Sequence, residues 1–192
     1  PWQGTPLALN ALRRLQQQAG ELLGPLVISA NRHLDDYRRF GAPVWPDTFG
    51  DFAGPLAGVL AGLQACTTPF LLTVPCDSPV FPLDLAQRLA AAFADDRTEM
   101  AMVATRNDQG QVQRQPVFCL MRAALLPSLT AFMASGGRKM GQWAQQHGTV
   151  LVPFDEGVTT PSCFSNINTL AELQAPSPTL PPTHDLRAAE VG

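Results

Sequence analysis

Apolar and polar positions divide this chain into alternating helical and extended segments. Leu7, Leu9, Leu12 and Leu15 recur along one helical face. Thr5 is placed to cap that helix, Pro6 to occupy its first position and Gly20 to stop it. Pro25-Leu26-Val27-Ile28-Ser29 is a short strand candidate, and Ala42-Pro43-Val44-Trp45 a second, with a polar helix over 34–40 between them. A further helix starts at Pro55 and carries Val59, Leu60 and Leu63 toward Ala65.

Phe70-Leu71-Leu72-Thr73-Val74 is too short for a helix and suits a buried strand. Pro75 ends it, having no N–H for a ladder. Leu85, Leu89 and Phe93 then share a helical face. Strands follow at 100–104 and 115–120, joined by a turn at 106–110, with Pro116 favouring an edge or a bulge. A helix lies within 123–134, where Pro127 either disturbs it or opens its main part, with Leu129 and Phe132 inward. Residues 150–154 form a last strand. Thr169 and Glu172 have capping-box spacing for a short final helix. This alternation predicts an α/β fold whose βαβ units close right-handed onto a parallel sheet. The proline-rich stretch 175–192 predicts a disordered tail, which leaves 1–174 as one domain.

At 192 residues, 45% hydrophobic and 15% charged, the chain is a globular domain and not a disordered or coiled-coil segment. A net charge of −3 and the lack of a basic cluster argue against nucleic acid as partner. No apolar run reaches the roughly 20 residues that span a bilayer. Cys66, Cys76, Cys119 and Cys163 form no CxxC pair and have apolar neighbours, which predicts buried thiols in a reducing cytoplasm. His33, His147 and His184 are too scattered to suggest a zinc site.

The polar residues gather after strands. Asp77 follows Pro75 at the carboxyl end of a buried strand, the edge where open α/β sheets bind ligands. Capping of the next turn is the plainer alternative. Ser29 and Asn31 end the preceding strand at the same edge if both strands run the same way, although Asn31 could equally form an Asx turn. Gly54-Pro55-Leu56-Ala57-Gly58 opens a helix without bulk, which offers N–H groups to an anion or allows close helix–sheet packing. Gly136-Gly137-Arg138-Lys139 is a flexible cationic loop that could clamp a phosphate or simply face solvent. Asn166 and Asn168 fall on one side of an extended segment.

Ser29-Ala30-Asn31-Arg32-His33, Asp47, Gly54-Pro55-Leu56-Ala57-Gly58, Pro75-Cys76-Asp77-Ser78-Pro79, Gln115-Pro116-Val117 and Asn166-Ile167-Asn168-Thr169 occur in that order. In this combination, from about residue 4 to about 173, the chain resembles the molybdenum cofactor guanylyltransferases, the MobA-type enzymes. The resemblance implies a Rossmann-like, three-layer nucleotide-diphospho-sugar-transferase sheet. It implies Mg²⁺-dependent transfer of GMP from GTP to molybdopterin or the molybdenum cofactor, with release of pyrophosphate. Asp77 corresponds to the magnesium ligand and catalytic residue, and Asp47 to a nucleotide-binding acid. Ser29, where the family often has Asn, and Asn31 fall on the GTP side. Asn166 and Asn168 correspond to the pair on the pterin side, with Arg138 and Lys139 near the pterin phosphate. Cofactor-biosynthesis proteins and chaperones of apo-molybdoenzymes are the implied protein partners, in the cytoplasm, without nucleic acid or membrane. A molybdopterin cytidylyltransferase or another nucleotidyltransferase of the superfamily, or a non-catalytic pterin-cofactor-binding module, is the alternative.

The family also has a first strand and a glycine-rich loop with Arg and Lys that holds the triphosphate. No such loop occurs in these 192 residues. The expectation is an N-terminally truncated chain. The additional strand would lie between the strands at 25–29 and 70–74, leaving two unpaired edges and no GTP turnover.

Overall fold

In the computed structural model, residues 4–18, 22–46, 54–155 and 161–164 are described. The helices are α1 (Leu7–Gln16), α2 (Leu34–Arg38), α3 (Pro55–Ala65), α4 (Leu85–Ala91), α5 (Leu126–Ala134) and α6 (Met140–Ala144). The strands are β1 (Ile28–Ser29), β2 (Val44–Trp45), β3 (Phe70–Thr73), β4 (Met100–Arg106), β5 (Val112–Arg122) and β6 (Thr149–Pro153).

β4 and β5 form a long antiparallel hairpin that starts at Arg106 opposite Val112. Its turn is built by Asn107, whose Oδ1 accepts the Gln109 and Gln111 N–H groups at 3.1 and 2.8 Å, and by Gly110 at φ 74°. β6 lies parallel to β4, and β3 lies antiparallel to the far side of β5, giving the order β3-β5-β4-β6. β3 and β4 are both antiparallel to β5, so they run the same way.

The pleat sends successive side chains to opposite faces and so divides the core in two. Met100, Met102, Cys119 and Met121 face α3, α5 and α6, where Leu56, Leu60, Leu129 and Trp143 are buried. Ala101, Val103 and Phe118 face α1 and α4, with Phe81, Leu85, Leu89, Phe154 and Phe164. Helices therefore cover both faces of the sheet, as in nucleotide-diphospho-sugar-transferase-like α/β domains.

Several sequence expectations shift. α1 starts after Pro6 and ends at Gln16, so Thr5 is not its N-cap; Gly20 lies outside the described residues. The strand expected at 25–29 pairs only at Ile28 and Ser29, parallel to β2. The helix from Pro55 forms as expected, and Gly54 at φ 61° supplies the left-handed residue before it. Pro127 lies in the first turn of α5, after a 3₁₀ turn at Ala123–Leu125, and Leu129 and Phe132 are buried. Of the cysteines, Cys119 and Cys163 are buried, but Cys66 is half-buried and Cys76 exposed, because Cys76 lies in a turn and not in a strand. The capping box at Thr169, the tail from 175 and His184 lie outside the described residues.

The largest departure concerns the sheet. β1 and β2 form a separate two-stranded piece, so β1 and β3 do not join in one sheet among the described residues. Ile28 and Ala30 donate to the Pro43 and Trp45 carbonyls at 2.9 and 3.1 Å. By alternation, the Ser29 backbone groups point away from β2. An apolar cleft of about 520 Å³ lies between the segment before β1 and β3, lined by Leu22, Val27, Ala65, Leu71 and Leu120 among others.

Candidate active site

Asp77 is presented by a turn that is held at both ends. On one side the chain leaves β3, turns at Cys76 and Asp77, and then plunges inward, with Ser78 and Phe81 fully buried. α1 holds this inward segment. Arg14 Nε donates to the Phe81 carbonyl, Gln18 Nε2 donates to the Pro82 carbonyl at 2.8 Å, and Gln18 Oε1 accepts the Ala86 N–H at 2.9 Å. Two elements distant in sequence thus fix the exit of the Asp77 turn. The Asp77 carboxyl is half-buried, and burial raises it above the usual carboxylate range, while a backbone hydrogen bond acts in the opposite direction.

On the other side, Thr73 Oγ1 donates to the Val117 carbonyl at 2.8 Å and approaches the Cys119 carbonyl at 3.3 Å. This contact reaches a bulge. The register passes from Met102 opposite Cys119 to Val103 opposite Gln115, so Pro116, Val117 and Phe118 have no partner on β4. Pro116 cannot donate to the ladder, and Phe118 turns into the core against Phe81 and Phe164. Gln115 Nε2 meets Thr105 Oγ1 at 3.2 Å. A Cβ on Gly141 would lie 3.9 Å from Pro116 Cγ, which sets the start of α6 beside the bulge. The loop with Arg138 and Lys139 enters α6 at this point, so it shares the sheet edge to which β3 delivers Asp77.

The two cations of that loop differ. Arg138 Nη1 donates to the Met133 and Gly137 carbonyls at 2.9 and 2.7 Å, at the C-terminal end of α5. Lys139 is exposed. Gly137 must be glycine here, since a Cβ would come within 2.3 Å of the Phe132 ring.

Ser29 ends β1 against the first turns of α3, where a Cβ on Gly58 would meet Ser29 Oγ at 3.0 Å. Asn31 is exposed in the bend that follows, and His33 is the described non-glycine residue with positive φ, at 54°. α2 then comes back beside the Asp77 turn. The Tyr37 hydroxyl is pushed up by burial and by the neighbouring Cys76 and Asp36. The structure thus puts Ser29 beside the glycine-rich helix start, and Asp77 on the edge shared with the Gln115-Pro116-Val117 bulge and Lys139. Asp47, Asn166 and Asn168 lie outside the described residues. Sequence reading did not single out Thr73 or Gln18; a hydroxyl in an otherwise apolar strand was the available signal for Thr73.

Among the described residues no group of three or more His, Cys, Asp or Glu gathers into a metal-holding cluster. Asp77 provides a single hard oxygen donor. That fits Mg²⁺, which is typically held by one or two carboxylates with substrate phosphates and water.

The sequence matches the MobA-like NTP transferase domain over residues 1–165. The chain belongs to the MobA-like NTP transferase family. It is 51% identical over 179 residues to the molybdenum cofactor guanylyltransferase of Acidovorax sp. (strain JS42), a match that covers 91% of this chain and 83% of that one. It is 52% identical over 174 residues to the same-named protein of Albidiferax ferrireducens, covering 88% and 82%. Its fold is similar to that of molybdopterin-guanine dinucleotide biosynthesis protein A from Archaeoglobus fulgidus, at TM-score 0.54 and 17% identity over 77% of this chain and 74% of that one. It is also similar to that of 2-C-methyl-D-erythritol 4-phosphate cytidylyltransferase from Thermus thermophilus, at TM-score 0.62 and 17% identity over 90% and 87%. No helix among the described residues is long and apolar enough to cross a membrane.

Proposed function

We propose that this chain is the catalytic domain of a molybdenum cofactor guanylyltransferase, which transfers GMP from GTP to molybdopterin or the molybdenum cofactor and releases pyrophosphate. The observation that carries this reading is its likeness, at about half identity over most of its length, to guanylyltransferases. The half-buried Asp77 at the carboxyl edge of the sheet supports it.

In this reading the terminal phosphate of the pterin attacks the α-phosphorus of GTP. One P–O bond forms as the bond to the pyrophosphate oxygen breaks. The attacking phosphate is already ionised near neutral pH, so positioning and charge neutralisation carry the rate without a strong general base. Asp77 would hold Mg²⁺, which supplies charge neutralisation for the triphosphate and the departing pyrophosphate. Ser29, Asn31 and Asp47 would contact GTP. Asn166 and Asn168 would face the pterin, and Lys139, with Arg138, would attract its phosphate. Cofactor-biosynthesis proteins and chaperones of apo-molybdoenzymes, in the cytoplasm, would use the product.

The test is pyrophosphate release with Mg²⁺, molybdopterin, and GTP or CTP. GTP should be preferred; preference for CTP would make the protein a cytidylyltransferase. Asp77→Asn should lower kcat by roughly 10²–10³-fold while the circular dichroism spectrum is kept. Pterin binding without any turnover, insensitive to Asp77→Asn, would favour a carrier module. The 192 residues should be assayed alone and extended by a glycine-rich strand and loop. Turnover by the unextended chain would refute the expectation that these residues alone lack the triphosphate cradle.

A further inference from the structure

At the opposite edge of the sheet, three side chains from separate elements line up. Glu99 immediately precedes β4, and Gly148 immediately precedes β6, so both sit at the amino ends of parallel strands. Glu99 Oε2 accepts the Gly148 N–H at 2.9 Å and lies 3.3 Å from His147 Nδ1. The other imidazole nitrogen, Nε2, is 2.8 Å from Ser128 Oγ on α5. The Trp143 indole N–H donates to the same Ser128 oxygen at 3.1 Å, and its ring meets the imidazole edge-on at 5.3 Å.

With the proton on Nδ1, His147 donates to Glu99 and leaves Nε2 to accept from the serine. A nucleophile, a base and a carboxylate that fixes the base's tautomer stand in hydrogen-bonding sequence. A serine inside a helix ordinarily turns back to the carbonyl four residues earlier. Thr130 does this on the same helix, donating to the Leu126 carbonyl at 2.9 Å. Ser128 instead faces the imidazole. The cluster reaches the surface, with 11% of the His147 side chain and 41% of the Glu99 side chain exposed. Glu99 is held below the usual glutamate range by the Gly148 N–H, with His147 and Arg122 adding to this against a cost from burial. It therefore remains an anion facing His147.

We propose that Ser128, His147 and Glu99 form a second site, separate from the Asp77 edge, that accepts acyl groups from small activated esters and hydrolyses them. Ser128 Oγ bonds to the acyl carbon as its proton passes to His147 Nε2. The carbonyl oxygen becomes the anion of the tetrahedral intermediate. The ester C–O bond then breaks and the leaving oxygen takes the proton from His147. Water, deprotonated by the same nitrogen, cleaves the acyl-serine and restores the hydroxyl.

The test treats the full chain with a fluorophosphonate probe. The serine–phosphorus bond forms as fluoride leaves, and the modified residue is mapped by peptide mass. Label on Ser128 is expected. His147→Gln should slow labelling about 10²-fold while leaving Ser128 in place. Ser128→Ala should abolish both labelling and hydrolysis of p-nitrophenyl acetate. A folded wild-type protein that takes no label, or takes it at another residue, overturns the proposal. So does a labelling rate indifferent to His147→Gln, since a network that only braces α5 and α6 against the sheet gives that result. Mapping on the wild-type protein decides the matter even if a variant fails to fold.

Discussion

A Cβ placed on Gly58 would stand 3.0 Å from Ser29 Oγ, so the first turns of α3 and the end of β1 are in contact through a hydroxyl and a missing side chain. Alanine is favoured over glycine inside a helix by about 1 kcal/mol. The hydroxyl is carried on one rotatable bond and can swing aside. Gly58→Ala should therefore leave the melting temperature unchanged or higher, yet turn aside Ser29 Oγ, which the proposed function directs toward GTP. A KM for GTP raised roughly 2- to 10-fold, the worth of one hydrogen bond, is the expected readout. The double variant with Ser29→Ala should show no further loss. A lowered melting temperature with an unchanged KM would show that the hydroxyl cannot move and contacts no substrate.

Gln18 is expected to matter more for stability than any exposed charge of the chain. Its amide is buried and bridges the Pro82 carbonyl and the Ala86 N–H, and so joins α1 to the start of α4. Gln18→Ala leaves both backbone groups without their partner, at about 1–3 kcal/mol for each that stays buried. A loss of about 2 kcal/mol, or roughly 4–8 °C in melting temperature, is predicted for thermal unfolding followed by circular dichroism. Because the same segment fixes the exit of the Asp77 turn, apparent Mg²⁺ affinity should weaken in parallel. A stable variant with unaltered Mg²⁺ dependence would count against α1 as the support of that turn.

The neighbouring cations Arg138 and Lys139 should separate experimentally. Arg138 caps the carbonyls at the end of α5, whereas Lys139 is exposed at the entry to α6. Lys139→Ala should raise the KM for the pterin substrate with little change in melting temperature. Arg138→Ala should cost about 1 kcal/mol of stability, for a charged donor on exposed carbonyls, and so lower the melting temperature. Steady-state kinetics and thermal melts on the two variants check this, and equal behaviour would contradict it.

The apolar cleft between the segment before β1 and β3 makes its own prediction. Its lining includes Leu22, which is 56% exposed, and it lies between the segment that leads into β1 and the outer strand β3, which has one neighbour among the described residues. Such a surface should bind an environment-sensitive dye, and unpaired edges should blunt cooperative unfolding. The 192-residue chain is expected to enhance anilinonaphthalene sulfonate fluorescence and to melt broadly. A sharp melt without dye binding would show that the cleft is covered.

Local chemistry made much of this fold legible, and long-range pairing was where legibility ended. Gly54-Pro55 announced the start of α3, because a left-handed glycine before a first-turn proline has few other uses. Asn107 and Gly110 marked the hairpin turn for the same kind of reason, and Pro116 marked the bulge. The strand at Phe70 was legible, but its antiparallel pairing with β5 was not, since a period-two pattern carries no partner's address. The same holds for β1, whose apolar run from Pro25 reads as a longer strand than the two residues that pair. Asp77 could be placed at a strand end from sequence. Its bracing by Gln18 and Thr73 could not, because both contacts join residues more than forty positions apart.

Glu99 should govern part of the acid limb of stability. Its carboxyl lies below the ordinary glutamate value chiefly because it accepts the Gly148 N–H, with His147 and Arg122 assisting. A depressed folded value means that the unfolded chain takes up the proton first. The stabilisation is therefore complete above the unfolded value of about 4.3. It is lost as pH falls through the lower, folded value. Glu99→Gln should be less stable than the wild type at neutral pH, and the two should converge at pH below both values. Urea unfolding of each protein across the acid range measures the difference directly. Parallel curves, with a constant gap down to the lowest pH, would mean that Glu99 acts through packing and not through its charge.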